Sequence, residues 1–146
     1  MTANFEMRNL RPGDYDEIIR IWTECGLHVK PKGRDSRAHL LSEMEKTPEF
    51  LIGACVENKL IGVVVGSYDG RRGCVNRLAV VKEFRKHGVA QELINVCEER
   101  LKAAGALVIY ALIEVENIPS QTLFKKMKYR HHDGLMFFSK RESDEV

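Results

Sequence analysis

The chain has 146 residues, 44% hydrophobic and 30% charged, which suits one core-forming domain and excludes a disordered or low-complexity protein. Its 23 basic and 21 acidic side chains leave a net charge of +2, too small an excess to mark a general nucleic-acid binder. Cys25, Cys55, Cys74 and Cys97 form no CxxC pair and no zinc-ligand spacing, so reduced thiols in a cytoplasmic protein are expected, with no disulfide framework and no metal. The start MTANFEMRNL lacks an apolar h-region, and the longest apolar run, 107–113, falls far short of the roughly 20 residues that cross a bilayer. Neither a secretory signal nor a membrane partner is therefore expected.

In chain order, residues 5–10 begin with apolar–polar alternation and predict a short strand. Pro12-Gly13-Asp14 punctuates; Asp14, with Glu17 three residues on, predicts an N-cap and capping box. Ile18, Ile19, Ile21, Trp22 and Cys25 then form one helical face, with Trp22 in the core, and Gly26 ends the helix. A basic loop, 28–34, leads to a second helix opened by Asp35 or Ser36, carrying Leu40, Leu41 and Met44, and stopping before Pro48. Residues 50–56, 60–68 and 74–81 read as three strands joined by tight turns at Asn58-Lys59 and Asp69-Gly70, an antiparallel meander.

Residues 88–105 carry Val89, Leu93, Val96 or Cys97, and Leu101 on one face, predicting a long amphipathic helix ended by Gly105. The run 107–113 does not alternate, as in a strand covered on both faces. Strand, crossover helix and strand imply a parallel pair. A short helix over 120–128 and a last strand over 135–138 complete the order β-α-α-β-β-β-α-β-α-β, an α/β class with a mixed sheet flanked by helices. The polar ending RESDEV, 141–146, is expected to fray.

The most informative segment is Leu78-Ala-Val80-Val-Lys-Glu-Phe-Arg85-Lys86-His87-Gly88-Val89-Ala90. A strand gives way to a short basic link, and Gly88 opens a helix. Unpaired amides at a helix start carry partial positive charge and attract anions, phosphate above all. Gly88 lets the backbone approach closely, Ala90 adds little bulk, and Arg85 and Lys86 strengthen the field. A pyrophosphate seat at 85–90 is the physical expectation; the bland alternative is a strand–helix turn with solvated basic side chains. The segment is neither a Walker loop nor a GxGxxG fingerprint.

Arg85-Lys-His-Gly88-Val-Ala90 fits the [RQ]-x-x-G-x-[GA] loop of the Gcn5-related N-acetyltransferases, and Asn117-Ile-Pro-Ser120-Gln-Thr-Leu123-Phe124-Lys-Lys-Met-Lys128-Tyr129 fits much of that superfamily's second motif. With Trp22-Thr-Glu-Cys25-Gly-Leu27 and Tyr68-Asp-Gly-Arg71-Arg-Gly73, the chain resembles the short single-domain bacterial and archaeal type over about residues 5–140. The resemblance implies one acetyltransferase domain spanning 1–146. Acetyl-CoA is then the cosubstrate, and the acceptor is a primary amine of a small molecule or a peptide N-terminus that attacks the thioester directly. It also implies that the backbone of Arg85, Lys86, His87, Gly88, Val89 and Ala90 holds the pyrophosphate. Backbone of Leu78 and Val80 then bonds the pantetheine arm, Asn117 contacts the CoA arm, and Phe124 lies near the thioester sulfur. A homodimer is compatible with it.

Two positions depart from the family pattern. Phe124 stands where a proton-donating tyrosine is usual, and Lys128 replaces a glycine that commonly serves a positive-φ turn. No Glu or Asp lies on the fourth strand, so either a base comes from elsewhere or solvent takes the proton. Glu114 and Tyr68 are the leading catalytic candidates, with Glu116, Glu24 and His28 behind them, each set against an ordinary surface role. The alternative function is a catalytically weak acyl-CoA-binding sensor. The basic run 125–132 permits a nucleic-acid module as a third reading, weighed against a solvated helix face.

Overall fold

The computed structural model describes residues 4–146. Its elements run β1 (Glu6–Asn9), α1 (Tyr15–Glu24), α2 (Arg37–Lys46), β2 (Leu51–Val56), β3 (Lys59–Tyr68), β4 (Arg72–Val80), α3 (Val89–Ala104), β5 (Val108–Ala111) and α4 (Ile118–Lys126). The five strands lie in the order β1-β2-β3-β4-β5. The first four pair antiparallel, and β5 joins β4 in parallel after the α3 crossover. This is the mixed α/β sheet expected from the residue pattern.

The core sits on both faces of β2 and β3, which are buried almost throughout. From α1 come Ile18, Ile21 and Trp22, from α2 Leu40 and Met44, and from α3 Val89, Leu93, Ile94, Cys97 and Leu101. The α3 helix seats closely because the sheet offers glycines beneath it. A Cβ at Gly66 would lie 2.8 Å from the Cys97 sulfur, and one at Gly62 3.0 Å from Leu93. Burial pushes the Cys97 thiol up to about 12 and raises Cys74 as well. All four thiols are unpaired.

Three helices end alike. Gly26 at φ 81°, Gly105 at φ 121° and Lys128 at φ 75° take the left-handed conformation after α1, α3 and α4. In each, the amide of the following residue reaches back to a carbonyl of the last turn: Leu27 to Trp22, Ala106 to Leu101, Tyr129 to Phe124. These are Schellman closures, and Lys128 fills one without glycine's freedom.

Several local expectations are corrected. Asp14 precedes α1, but its carboxylate does not cap it. Oδ2 and Oδ1 accept from the Arg8 guanidinium at 2.7 and 2.9 Å, and Oδ2 also from the Arg11 amide at 2.7 Å. A charged donor outcompetes a neutral helix amide. Glu17 accordingly pairs with Arg20. Ser36, not Asp35, caps α2, accepting from the His39 amide. The fourth helix begins at Ile118 rather than Ser120, because Asn117 accepts from the Ser120 amide and Pro119 fits the first turn.

The last expected strand does not form: residues 135–138 are exposed and hold no strand partner among the described residues. Consequently β5 is an edge strand, half-exposed rather than covered on both faces. The tail does not project freely. Lys30 Nζ donates to the Asp144 carbonyl at 2.6 Å, Lys32 lies 3.5 Å from Glu145, and Val146 rests against Gly33.

Candidate active site

The β4–β5 pair is short. It covers only Arg72 to Val75 against Val108 to Ala111, after which the two strands separate. At the point of separation β4 bulges. Val63 opposes Ala79 and Val65 opposes Asn76, so Arg77 and Leu78 share one partner position, and Arg77 takes φ 54°. Such bulges re-aim the backbone beside a site. Two carbonyls of this stretch find partners from α1 and the following loop instead of a strand. Trp22 Nε1 donates to Arg77 O at 3.1 Å, and the Arg85 guanidinium (3.1 Å) and Cys25 thiol (3.4 Å) both donate to Val80 O.

Between the parted strands lies a cleft of about 710 Å³. Its β4 wall is Val75 to Leu78, its opposite wall the end of β5 with Glu114 and Glu116, and its floor Asn117, Ser120 and Phe124 from α4. The loop after α1 closes one end with Cys25, His28, Lys30 and Arg34, joined by Arg141 and Asp144 from the tail. Size and mixed lining are those of a small-molecule site.

The α1–α2 loop is held by a buried ion pair. Arg77 Nη2 meets Asp35 Oδ2 at 2.6 Å, with side-chain exposures of 18% and 5%. Arg77 Nη1 donates to the His28 carbonyl at 2.9 Å, its guanidinium lies over the Trp22 ring, and Asp35 accepts the Lys30 amide at 2.7 Å. Burial pulls the Arg77 guanidinium down against the opposing pull of Asp35. No sequence signal announced this pair, since its members lie 42 residues apart.

The sequence candidates divide as follows. Leu78, Glu114, Asn117 and Phe124 meet in the cleft, with Glu116 and His28 beside them. Glu114 Oε1 and His28 Nε2 stand 3.5 Å apart. Phe124 is buried, its ring edge-on to Tyr129 at 4.9 Å between centroids. Tyr129 offers no substitute acid: its hydroxyl donates to Glu98 at 2.6 Å, and burial and that bond hold its pKa far above the ordinary value.

Tyr68 lies outside the cleft. It opposes Gly73 within the paired stretch of β4, away from the point where the strands part, and its hydroxyl sits beside Gly105. Glu24 is likewise elsewhere, bonded to Arg20 at 3.0 Å. Cys25, Arg141 and Asp144 are cleft residues that the sequence reading did not nominate.

The loop 85–90 borders the cleft through Arg85 but does not line it. Gly88 stands at φ 81° directly before α3, and Lys86 at φ 66°. Among the described residues no protein acceptor takes the amides of 86–91; the first bond of the helix runs from the Glu92 amide to Gly88 O. A Cβ at Gly88 would meet nothing within 4 Å, so the approach to these amides is open. Arg85 differs from expectation: its guanidinium turns inward to Val80 O, supplying the donor that a departing β5 cannot. Such a row of free amides at a helix start fits the pyrophosphate of a CoA thioester.

Residues 15–129 match the acetyltransferase (GNAT) family. The chain belongs to that family. It is 32% identical over 137 residues to the acetyltransferase plu1384 of Photorhabdus laumondii, covering 93% of this chain and 94% of that one. The fold is similar to the PaiA N-acetyltransferase of Thermoplasma acidophilum in complex with coenzyme A, with TM-score 0.73, 18% identity, and 86% and 89% of the two chains covered. It is also similar to glucosamine-6-phosphate N-acetyltransferase of Arabidopsis thaliana, with TM-score 0.72, 14% identity, and 97% and 100% covered. As a GNAT acetyltransferase the chain transfers acetyl groups from acetyl-CoA to an amine. No described group of His, Cys, Asp and Glu is arranged to hold a metal, and no described helix is long and apolar enough to cross a membrane.

Proposed function

We propose that this GNAT acetyltransferase acetylates a primary amine of a small molecule, with the acceptor entering the cleft between the α1–α2 loop and the end of β5. One observation carries the reading: the parting of β4 from β5 brings Leu78, Asn117, Phe124 and Glu114 around a single opening, beside the open amides of 86–91. In this reading the amides of residues 85–90 hold the pyrophosphate. The β4 backbone at Leu78 and Val80 lies along the pantetheine arm, and Phe124 packs beneath the thioester.

Glu114 takes a proton from the incoming ammonium, and His28, 3.5 Å from it, orients the carboxylate. The neutral amine attacks the thioester carbon, a C–N bond forms, the C–S bond breaks, and the new amide nitrogen gives up its second proton to solvent. Phe124 donates no proton, so CoA leaves as thiolate and is protonated by solvent, which its ordinary thiol pKa of about 8.5 permits. Glucosamine-6-phosphate, named in one structural neighbour, illustrates the acceptor class rather than the acceptor.

The test is CoA thiol release over a panel of small amines, with thermal stabilisation by CoA measured in parallel. Glu114→Gln is expected to lower kcat by about 10²-fold or more while leaving CoA stabilisation intact. Unchanged kcat would remove Glu114 from the mechanism. Stabilisation by CoA without thiol release for any amine would favour the acyl-CoA sensor.

A further inference from the structure

The acetyl transfer described above makes no use of the basic loop between α1 and α2, yet that loop lines the acceptor end of the cleft. Residues 30–36 form a tight turn. The amides of Gly33 and Asp35 donate to Lys30 O at 2.9 and 3.0 Å, and the Ser36 amide donates to Gly33 O at 3.0 Å. Buried Asp35 anchors the turn, accepting from the Lys30 amide and from Arg77. Lys30 and Arg34 thus stand on a fixed backbone. The tail brings a third cation, Arg141, to the same cleft, and Lys30 Nζ ties tail to loop through its bond to the Asp144 carbonyl.

These three cations lack counter-charges. Arg77 is neutralised by Asp35, and His28 faces Glu114. Among the described residues Lys30, Arg34 and Arg141 enter no ion pair. Lys30 and Arg141 donate to neutral carbonyls, those of Asp144 and Val146. Glu43 shares a smaller cavity of about 160 Å³ with Arg34 but does not pair with it. Burial pulls the Arg77 guanidinium down, and the neighbouring Arg34 charge adds to that pull, so two guanidiniums crowd around the single carboxylate of Asp35. Of the lining carboxylates, Glu114 and Glu116 lie on the opposite wall and Asp144 stands with the cations. The cleft is electrically two-ended.

We infer that the acceptor carries, besides its amine, an anionic group, phosphate or carboxylate, which Lys30, Arg34 and Arg141 bind while the amine faces Glu114. The inference rests on the small-amine acetylation proposed above and names its substrate class. Guanidinium forks bond two oxygens of such a group at once, and a cleft end lined by one sign of charge concentrates ligands of the other. A single exposed ion pair is worth little. Here three cations from two chain segments converge on one opening, and the fixed turn removes part of the ordering cost.

The experiment compares matched acceptors. Aminoalkyl phosphates of about two to six carbons, lengths suited to a cleft of about 710 Å³, are set against the amino alcohols of equal length, and ω-amino carboxylates against the corresponding alkylamines. CoA thiol release gives kcat/KM for each pair, and calorimetry on the CoA-saturated protein gives binding without turnover. At least one anionic series should exceed its neutral partner by on the order of 10-fold or more, as charge-assisted bonds imply, mainly through KM. The two arms show whether phosphate or carboxylate is preferred. The preference should shrink as KCl rises from about 0.05 to 0.5 M. Arg34→Gln and Arg141→Gln should each lower the ratio within a pair severalfold; a general loss of activity cancels in that ratio, and thermal stabilisation by CoA reports folding. Anionic and neutral members used equally would overturn the anion site while leaving the acetylation reading standing. A preference that survives both substitutions places the anionic group elsewhere and also overturns it. Calorimetric binding of anionic members that Arg34→Gln weakens, with no thiol release from any amine, would uphold the anion site and refute small-amine acetylation. Neither binding nor turnover of any anionic member overturns the proposal.

Discussion

Replacing Asp35 with alanine removes the one carboxylate that faces Arg77 at 2.6 Å, together with the acceptor of the Lys30 amide at 2.7 Å. Arg77 cannot escape to water. Its side chain is 18% exposed, pinned over Trp22 and bonded to the His28 carbonyl. The variant therefore leaves a buried guanidinium unpaired rather than merely deleting an attraction. Breaking a buried pair in this way costs about 3–5 kcal/mol, a large part of the roughly 5–15 kcal/mol that holds a domain together. At about 2–4 °C per kcal/mol for a chain of this size, Tm should fall by roughly 6–20 °C. Urea unfolding at pH 7 reads the cost directly, as a lower midpoint at unchanged slope.

The double variant Asp35→Ala/Arg77→Met sharpens the test. Removing both charges should recover much of the loss, because an apolar replacement of a buried pair is often close to neutral. Since the same pair holds the loop carrying His28, the single variant should also raise KM for the amine more than for acetyl-CoA. A cost below about 1 kcal/mol for Asp35→Ala, a value typical of exposed pairs, would refute the reasoning. So would strictly additive losses in the double variant.

Other consequences are open to direct measurement. Gly88→Val places a β-branched residue at φ 81° with open space around its Cβ; it should cost about 1–2 kcal/mol in backbone strain and weaken CoA binding at least tenfold by calorimetry, and unchanged affinity would move the pyrophosphate elsewhere. Lys128→Gly should raise stability by up to about 1 kcal/mol, since Lys128 occupies at φ 75° the position that Gly26 and Gly105 occupy in the matching closures; a loss of stability in urea would contradict this. For Asp14, burial pushes the carboxyl up, but the bonds from Arg8 and the Arg11 amide outweigh it and hold it below the usual range. Its contribution is thus fully present above the unfolded value near 4 and lost as pH falls through the folded one. Asp14→Asn should flatten that acid limb, and an unchanged limb would assign the acid sensitivity to other groups.

What residue order alone determined was whatever depends on neighbours in the chain. The period of Ile18, Ile21 and Trp22 drew α1, and the turn at Asn58 joined β2 to β3 with Glu57 and Asn58 at positive φ. Gly26 and Gly105 ended their helices, and the misfit at Lys128 was legible because a helix stop is a local matter. The open amides before α3 were legible for the same reason, since Gly88 both admits the turn and clears the approach.

Tertiary structure decided every contact in which distant groups compete. Arg8 drew the carboxylate of Asp14 away from its helix, and Arg77 drew Asp35. The Tyr68 hydroxyl ended beside Gly105, while Glu114 met His28. The apolar run 135–138 has the residues of a strand, yet a strand is completed only by an edge to pair with. Local backbone preference is a property of short windows, whereas pairing, charge partnership and cleft lining depend on which surfaces the folded chain brings within a few ångströms of one another.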